Sequence, residues 1–131
     1  MPSIPESHRD LLTDEKRALA FVGTVMSDGS PQVTPVWFNT DGEYFCINTA
    51  RGRVKDRNLR ARPAVALTIS DPGDPYRYIQ IRGRVVEFTE EGAKEHMDEL
   101  SYKYEDKPWS LPPGQVRVRF KIQPERITAH A

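Results

Sequence analysis

The sequence predicts a mainly β (α+β) domain, an antiparallel barrel of six to seven strands with accessory helices. Three observations predict it. Residues 20–49 are cut by Ser27-Asp28-Gly29-Ser30 and Thr40-Asp41-Gly42 into three short β-prone runs, the spacing of consecutive antiparallel strands. Residues 115–123 alternate Val116, Val118, Phe120 and Ile122 with Arg117, Arg119 and Lys121, which gives one apolar and one polar face. The helical stretches are inserted late and singly, without the strict alternation of a parallel sheet.

Taken in order, residues 4–20 place Leu11, Leu12, Ala18 and Leu19 at helical positions, with Thr13 before Asp14-Glu15 as a capping signal. One or two short helices over a barrel end are expected. Residues 20–26 and 31–39 form a hairpin about Asp28-Gly29, and residues 43–49 follow as a third strand. Pro35 lies within the second of these and cannot donate to a ladder, so that strand is at an edge, bulged, or facing a flat ligand. A short helix over residues 50–62 ends at Arg62-Pro63, and residues 64–70 return as strand. A loop over residues 71–75 then leads into a long strand over 76–88, where Ile79, Ile81 and Val85 oppose Tyr78, Gln80, Arg82 and Arg84, and Gly83 marks a bend. Residues 90–104 make an acidic amphipathic helix with Ala93, His96, Met97, Leu100 and Tyr104 inward, and residues 126–129 supply a last pairing.

The 131 residues are read as one domain, 1–131, modest enough to gain from dimerisation. Nineteen Lys and Arg balance nineteen Asp and Glu, so the general basic footprint of a nucleic-acid binder is missing. No apolar run approaches bilayer length and the N-terminal residues lack a charged start followed by an apolar core, so a cytoplasmic protein without a membrane partner is expected. Cys46 is the single cysteine, which excludes an intrachain disulfide. His8, His96 and His130 have no metal-ligand spacing, and His96 reads as a packed core histidine. No nucleophile, Walker or dinucleotide signature occurs, so no metal and no catalytic side chain are assigned. A cofactor must carry any reactivity.

The positive charge is local. Residues 48–62 hold Arg51, Arg53, Lys55, Arg57, Arg60 and Arg62 against the single acid Asp56. Such a run is either a solvated helix face or an anion site. Its start at a strand-to-helix junction, where Gly52 lets backbone approach and N–H groups at residues 50–54 are free, favours a phosphate-binding corner. Lys55 and Asn58 share one face there, while Val54, Leu59 and Ala61 are expected to pack inward.

Three segments in order, PQVTPVWF at 31–38, NTARGRVKDRNLR at 48–60 and RYIQIRGRV at 77–85, resemble the pyridoxamine-phosphate-oxidase-like split β-barrel proteins. Within that superfamily the chain is similar to the deazaflavin-dependent reductases that use coenzyme F420. The resemblance implies an FMN-binding-type split barrel, a homodimer, and a cofactor groove between the two barrels. It implies that Thr34, Pro35, Val36 and Trp37 line the ring, that Asn48, Thr49, Arg51, Arg53 and Lys55 take the ring edge and phosphate, and that Asn58 braces the corner. Tyr78 and Gln80 would be groove residues on a facing strand, and Trp109 a contribution from the partner. The implied activity is hydride transfer from reduced F420 to a small unsaturated acceptor; the alternatives are an FMN-dependent reductase and a non-catalytic flavin or deazaflavin carrier. Residues 124–131 lack the arginine-and-histidine substrate clasp of authentic pyridoxamine phosphate oxidases, so oxidation of vitamin B6 is not implied.

Overall fold

A computed structural model describes residues 2–131. Its elements are β1 (Ala20–Val25), β2 (Pro31–Val36), β3 (Asn39–Asp41), β4 (Tyr44–Ala50), α1 (Val54–Ala61), β5 (Ala64–Asp71), β6 (Asp74–Thr89), α2 (Ala93–Glu105) and β7 (Arg117–His130). The strands form one seven-stranded antiparallel sheet in the order β2-β1-β5-β6-β7-β4-β3. β2 and β3 therefore sit at opposite edges, although only Trp37 and Phe38 separate them in the chain. Two residues reach no more than about 10 Å, so the sheet must curl until its edges approach. The result is a split barrel filled by Val22, Phe38, Phe45, Ile47, Leu67, Ile69, Ile79, Ile81, Phe120 and Ile122, with Leu59 of α1 closing one side.

The predicted run of three successive paired strands is not what forms. β2 pairs with β1 alone and β3 with β4 alone, because the chain breaks at Phe38. That ring is fully buried, its carbonyl accepts a hydrogen bond from Lys103 Nζ (2.8 Å), and its N–H donates to the Tyr104 hydroxyl (3.3 Å). Side chains of α2 thus take the backbone groups that a continuing strand would have paired. Pro35 consequently lies on an edge strand, where its missing N–H costs nothing.

The N-terminal helices shrink to one 3-10 helix, Glu6–Leu12. Thr13 stops it rather than starting another: both its N–H (3.2 Å) and its hydroxyl (2.8 Å) turn back to the Asp10 carbonyl. The expected loop at 71–75 is a tight turn, since Asp71 pairs with Asp74 and the Asp71 Oδ1 accepts the Gly73 N–H (2.9 Å). The last pairing belongs to β7 itself, which runs unbroken past a bulge where Arg82 faces Arg126 but Gly83 faces Pro124. Ala61, expected inward, is exposed, because α1 is anchored instead through Asp56, Asn58 and Leu59.

Candidate functional site

Helix α1 starts where β4 ends, and the junction is made rigid from within. Gly52 adopts φ +91°, a left-handed turn that suits glycine. Asp56, only 2% exposed, accepts the Gly52 N–H (2.8 Å) and pairs with Arg60 Nε (2.7 Å). On the inner side, Asn58 Nδ2 donates to Thr24 Oγ1 (3.0 Å), and Arg62 donates to the Val25 carbonyl (2.7 Å) and to Asn58 Oδ1 (3.1 Å). The helix is stapled to β1 by these contacts.

Three N–H groups of the junction are spent internally, contrary to expectation. Arg51 N–H donates to Val116 (2.8 Å) and Arg53 N–H to Ala50 (3.2 Å), alongside that of Gly52. The donors left over lie one step later, in the first turn of α1, which no side chain caps.

The six bases also divide. Arg51 and Arg60 reach Glu90 (3.2 and 3.4 Å), Arg57 donates to the Gly52 carbonyl (2.8 Å), and Arg62 serves β1. Arg53 and Lys55 form no ion pair among the described residues. Burial, then the nearby Arg53 and Arg117 cations, push the Lys55 ammonium below its ordinary pKa. Beside them the Thr34 hydroxyl is buried without any hydrogen-bond partner, within a concavity that Gln32, Thr34, Thr49, Gly52, Arg53 and Lys55 share. Two cations short of counter-charge and an unmatched hydroxyl fit an anion such as a phosphate.

The concavity continues into an open groove of about 580 Å³ bounded by Pro35, Val36, Trp37, Asn48, Thr49, Met97, Leu100, Trp109 and Arg117. Trp37 is held flat against Tyr104, with ring centres 5.2 Å apart and planes 5° from parallel. Tyr104 is itself tied to the Ala18 carbonyl (2.5 Å). A proline-bearing edge strand and a stacked indole make the flat wall a conjugated ring needs.

Behind the groove runs a directional chain of hydrogen bonds. Arg117 Nε can only donate, so the Asn48 atom facing it at 2.8 Å must be Oδ1. Asn48 Nδ2 then donates to Ala93 O (2.9 Å) and to His96 Nδ1 (3.1 Å), which fixes the proton on Nε2, facing Asn39 Oδ1 at 2.8 Å. Asn39 finally donates to Glu99 (3.3 Å). Burial, reinforced by Arg119 and Arg117, lowers the His96 pKa to about 4, so the ring is neutral as the chain of bonds requires.

Of the residues anticipated from sequence, Pro35, Val36, Trp37, Asn48, Thr49, Arg53, Lys55 and Trp109 border this groove, and Thr34 lies in the adjoining corner. Trp109 does so from the same chain. Asn58 lies behind the corner. Arg51 points to Glu90, while Tyr78 stacks on His130 (4.7 Å) and Gln80 accepts from Thr128 (3.4 Å), outside the groove of their own chain. Sequence reasoning missed Arg117, which it took for one of three wet positions on β7, and Lys103. Neither carries a local signal: Arg117 is buried by what α2 lays over β7, and Lys103, itself on α2, by its contact with Phe38.

A family model described as pyridoxamine 5'-phosphate oxidase matches residues 4–131. Among solved structures, an F420 reductase is 35% identical, with a TM-score of 0.84 over 95% of this chain and 98% of that one. Rv2991 from Mycobacterium tuberculosis (19% identity, TM-score 0.76, 98% and 85% covered) and General Stress Protein 26 from Bacillus anthracis (22%, 0.69, 92% and 92%) share the fold. No curated protein matches the chain. The split barrel, the strand-to-helix corner and these likenesses agree: the chain belongs to the pyridoxamine 5'-phosphate oxidase-like split-barrel family, in the branch that includes an F420 reductase.

Proposed function

We propose that the protein is a homodimeric oxidoreductase that binds reduced coenzyme F420 in this groove and passes hydride to an unsaturated organic acceptor. The observation that carries the reading is the pairing of an uncompensated Arg53–Lys55–Thr34 corner with the flat Pro35–Trp37 wall. When bound, the cofactor supplies the hydride. The chain's own residues bind and orient: Arg53 and Lys55 neutralise the phosphate, Thr34 donates its free hydroxyl hydrogen, and Trp37, Pro35 and Val36 seat the ring. Asn48 and Thr49, at the end of β4, would meet the ring edge. No protein nucleophile is needed, only a dry wall and a fixed geometry.

The 35% identity to an F420 reductase favours F420 over FMN as the cofactor, and both carry a phosphate on a side chain of a tricyclic ring. Titrating the protein with each and following quenching of the two tryptophans ranks them. Oxidation of reduced F420 by enones, quinones and tetrapyrroles then separates a reductase from a carrier: a groove that binds F420 but oxidises it with no acceptor is a carrier's. Replacing Lys55 by Ala is expected to weaken cofactor binding by about 2 kcal/mol, roughly thirtyfold, through loss of a charge-assisted contact. Unaltered affinity would remove Lys55 from the site.

A second copy is part of this reading. Pro35, Phe21, Thr68, Gln80 and Thr128 lie side by side on one outward row of the sheet, by the register of β2, β1, β5, β6 and β7. Around it Phe21 is 41% and Val33 64% exposed, and Gly23, Ala64 and Ala66 leave a shallow groove of about 510 Å³. A two-fold axis through the row between Phe21 and Thr68 exchanges Pro35 with Gln80. It would carry the Gln80 of a second copy some three strand spacings, roughly 14 Å, to face Pro35. Phe21→Glu is expected to yield a monomer in sedimentation and to lose cofactor binding with it. A stable dimer of that variant would place the interface elsewhere.

A further inference from the structure

Arg117 has no role in the phosphate corner, yet it is a buried cation with nothing to neutralise it. It is 9% exposed, and no carboxylate pairs with it among the described residues. Its Nε is spent on Asn48, and Nη1 donates to Gln115 (2.9 Å). Nη2 faces only the thioether of Met97, at 3.5 Å, a weak acceptor for a charged donor. The guanidinium lies over the Trp109 ring, 5.0 Å from its centre. Burial and the Arg53 charge together lower its pKa to about 10.

Its neighbours distinguish it from Arg53 and Lys55. The corner is shared by Gln32, Thr34, Gly52 and Arg57, and Arg117 does not border it. Arg53 and Lys55 border both the corner and the wide groove, whereas Arg117 borders the wide groove alone, with Trp37, Met97, Leu100, Trp109 and Pro112. Between two indoles, that part of the groove suits an anion carried on something flat and apolar. The fixed Asn48 contact holds the guanidinium fork in one orientation, which suits the two oxygens of a carboxylate.

We infer that Arg117 is a second anion-recognising group of the groove, and that the acceptor it selects carries a carboxylate conjugated to, or next to, its unsaturated bond. The inference rests on the reading of the groove as a hydride-transfer site. Arg117 Nη2 exchanges the Met97 sulfur for a carboxylate oxygen, while the acceptor's planar part lies between the indoles of Trp37 and Trp109. The carboxylate sets which end of the acceptor faces the ring; Arg117 binds and orients and takes no proton.

Calorimetric titration of the whole protein tests this, using cinnamate and its neutral isostere cinnamamide, each with and without saturating oxidised F420 or FMN. Cinnamate is expected to bind at least tenfold more tightly than cinnamamide. Arg117→Gln is expected to abolish that preference while leaving cinnamamide within twofold, and Arg117→Lys to keep part of it. Inorganic phosphate should bind Arg117→Gln as it binds the natural protein. Equal affinity of the natural protein for acid and amide overturns the inference whether or not the variants fold, and so does a preference that Lys55→Ala removes and Arg117→Gln does not. Cofactor that fails to bind at all sinks the functional reading itself, a result visible in the same titrations before either probe is added.

Discussion

Gly83→Ala is expected to destabilise the protein by at least about 3 kcal/mol, a fall in melting temperature on the order of 10 °C, although the change adds a single methyl. Gly83 sits at the bulge where β6 and β7 slip register, the point at which this long strand pair bends to let the sheet curl. A Cβ there would collide with the Gln123 carbonyl and lie within 3.2 Å of Pro124 Cα. These are backbone atoms of the paired strand and cannot rotate aside. Gly42 is the control: it has φ +62° with nothing near a Cβ, so alanine there costs only the strain of a left-handed residue, about 1 kcal/mol. Thermal denaturation followed by circular dichroism compares the two. Equal losses would mean that the β6–β7 bulge relaxes freely and does not set the curvature.

Much of this architecture was legible because its signals are local. The Asp28-Gly29 and Asp41-Gly42 turns, the alternation along β7 and the Gly83 bend each report on a few adjacent residues, and each lies where the pattern puts it. The partner of β2 was not legible. Pro35 says that a neighbour is missing, but nothing near it says that Phe38 will be claimed by Lys103 and Tyr104 some 65 residues away. The site divides in the same way. Arg53 and Lys55 stand out in a charge run, whereas the sorting of six bases into four with internal partners and two without depends on Glu90, Val25 and Gly52 in space. Arg117 was hidden because alternation assigns it to solvent, and only α2 and Trp109 bring it under cover.

The acid side of the stability profile is expected to be governed by His96. In the folded protein its pKa is about 4, against an ordinary value of 6.5, so between those limits the unfolded chain holds a proton on this ring that the folded chain does not. Stability is then complete above about pH 6.5, falls as the pH drops toward 4, and stops falling on this account below that. The window corresponds to about 3 kcal/mol. Asp10, whose pKa lies near 2 because of its hydrogen bond to Arg77, contributes only at lower pH and does not blur it. The structural cost has an address. A second proton would sit on Nδ1, donor against donor with Asn48 Nδ2, and Asn48 cannot reverse its amide without turning that same NH2 toward the Arg117 Nε–H. His96→Gln, which cannot charge, is therefore expected to flatten urea midpoints between pH 6.5 and 4 while the natural protein shows the slope. Because the folded protein keeps His96 neutral across that window, the bonds through Asn48 to Arg117 stay intact, and the natural protein should hold its preference for a carboxylate-bearing probe from pH 6.5 down to about 5. Parallel slopes in the two proteins would mean that His96 titrates as a solvated imidazole, and that the chain of bonds behind the groove does not hold Arg117 in place.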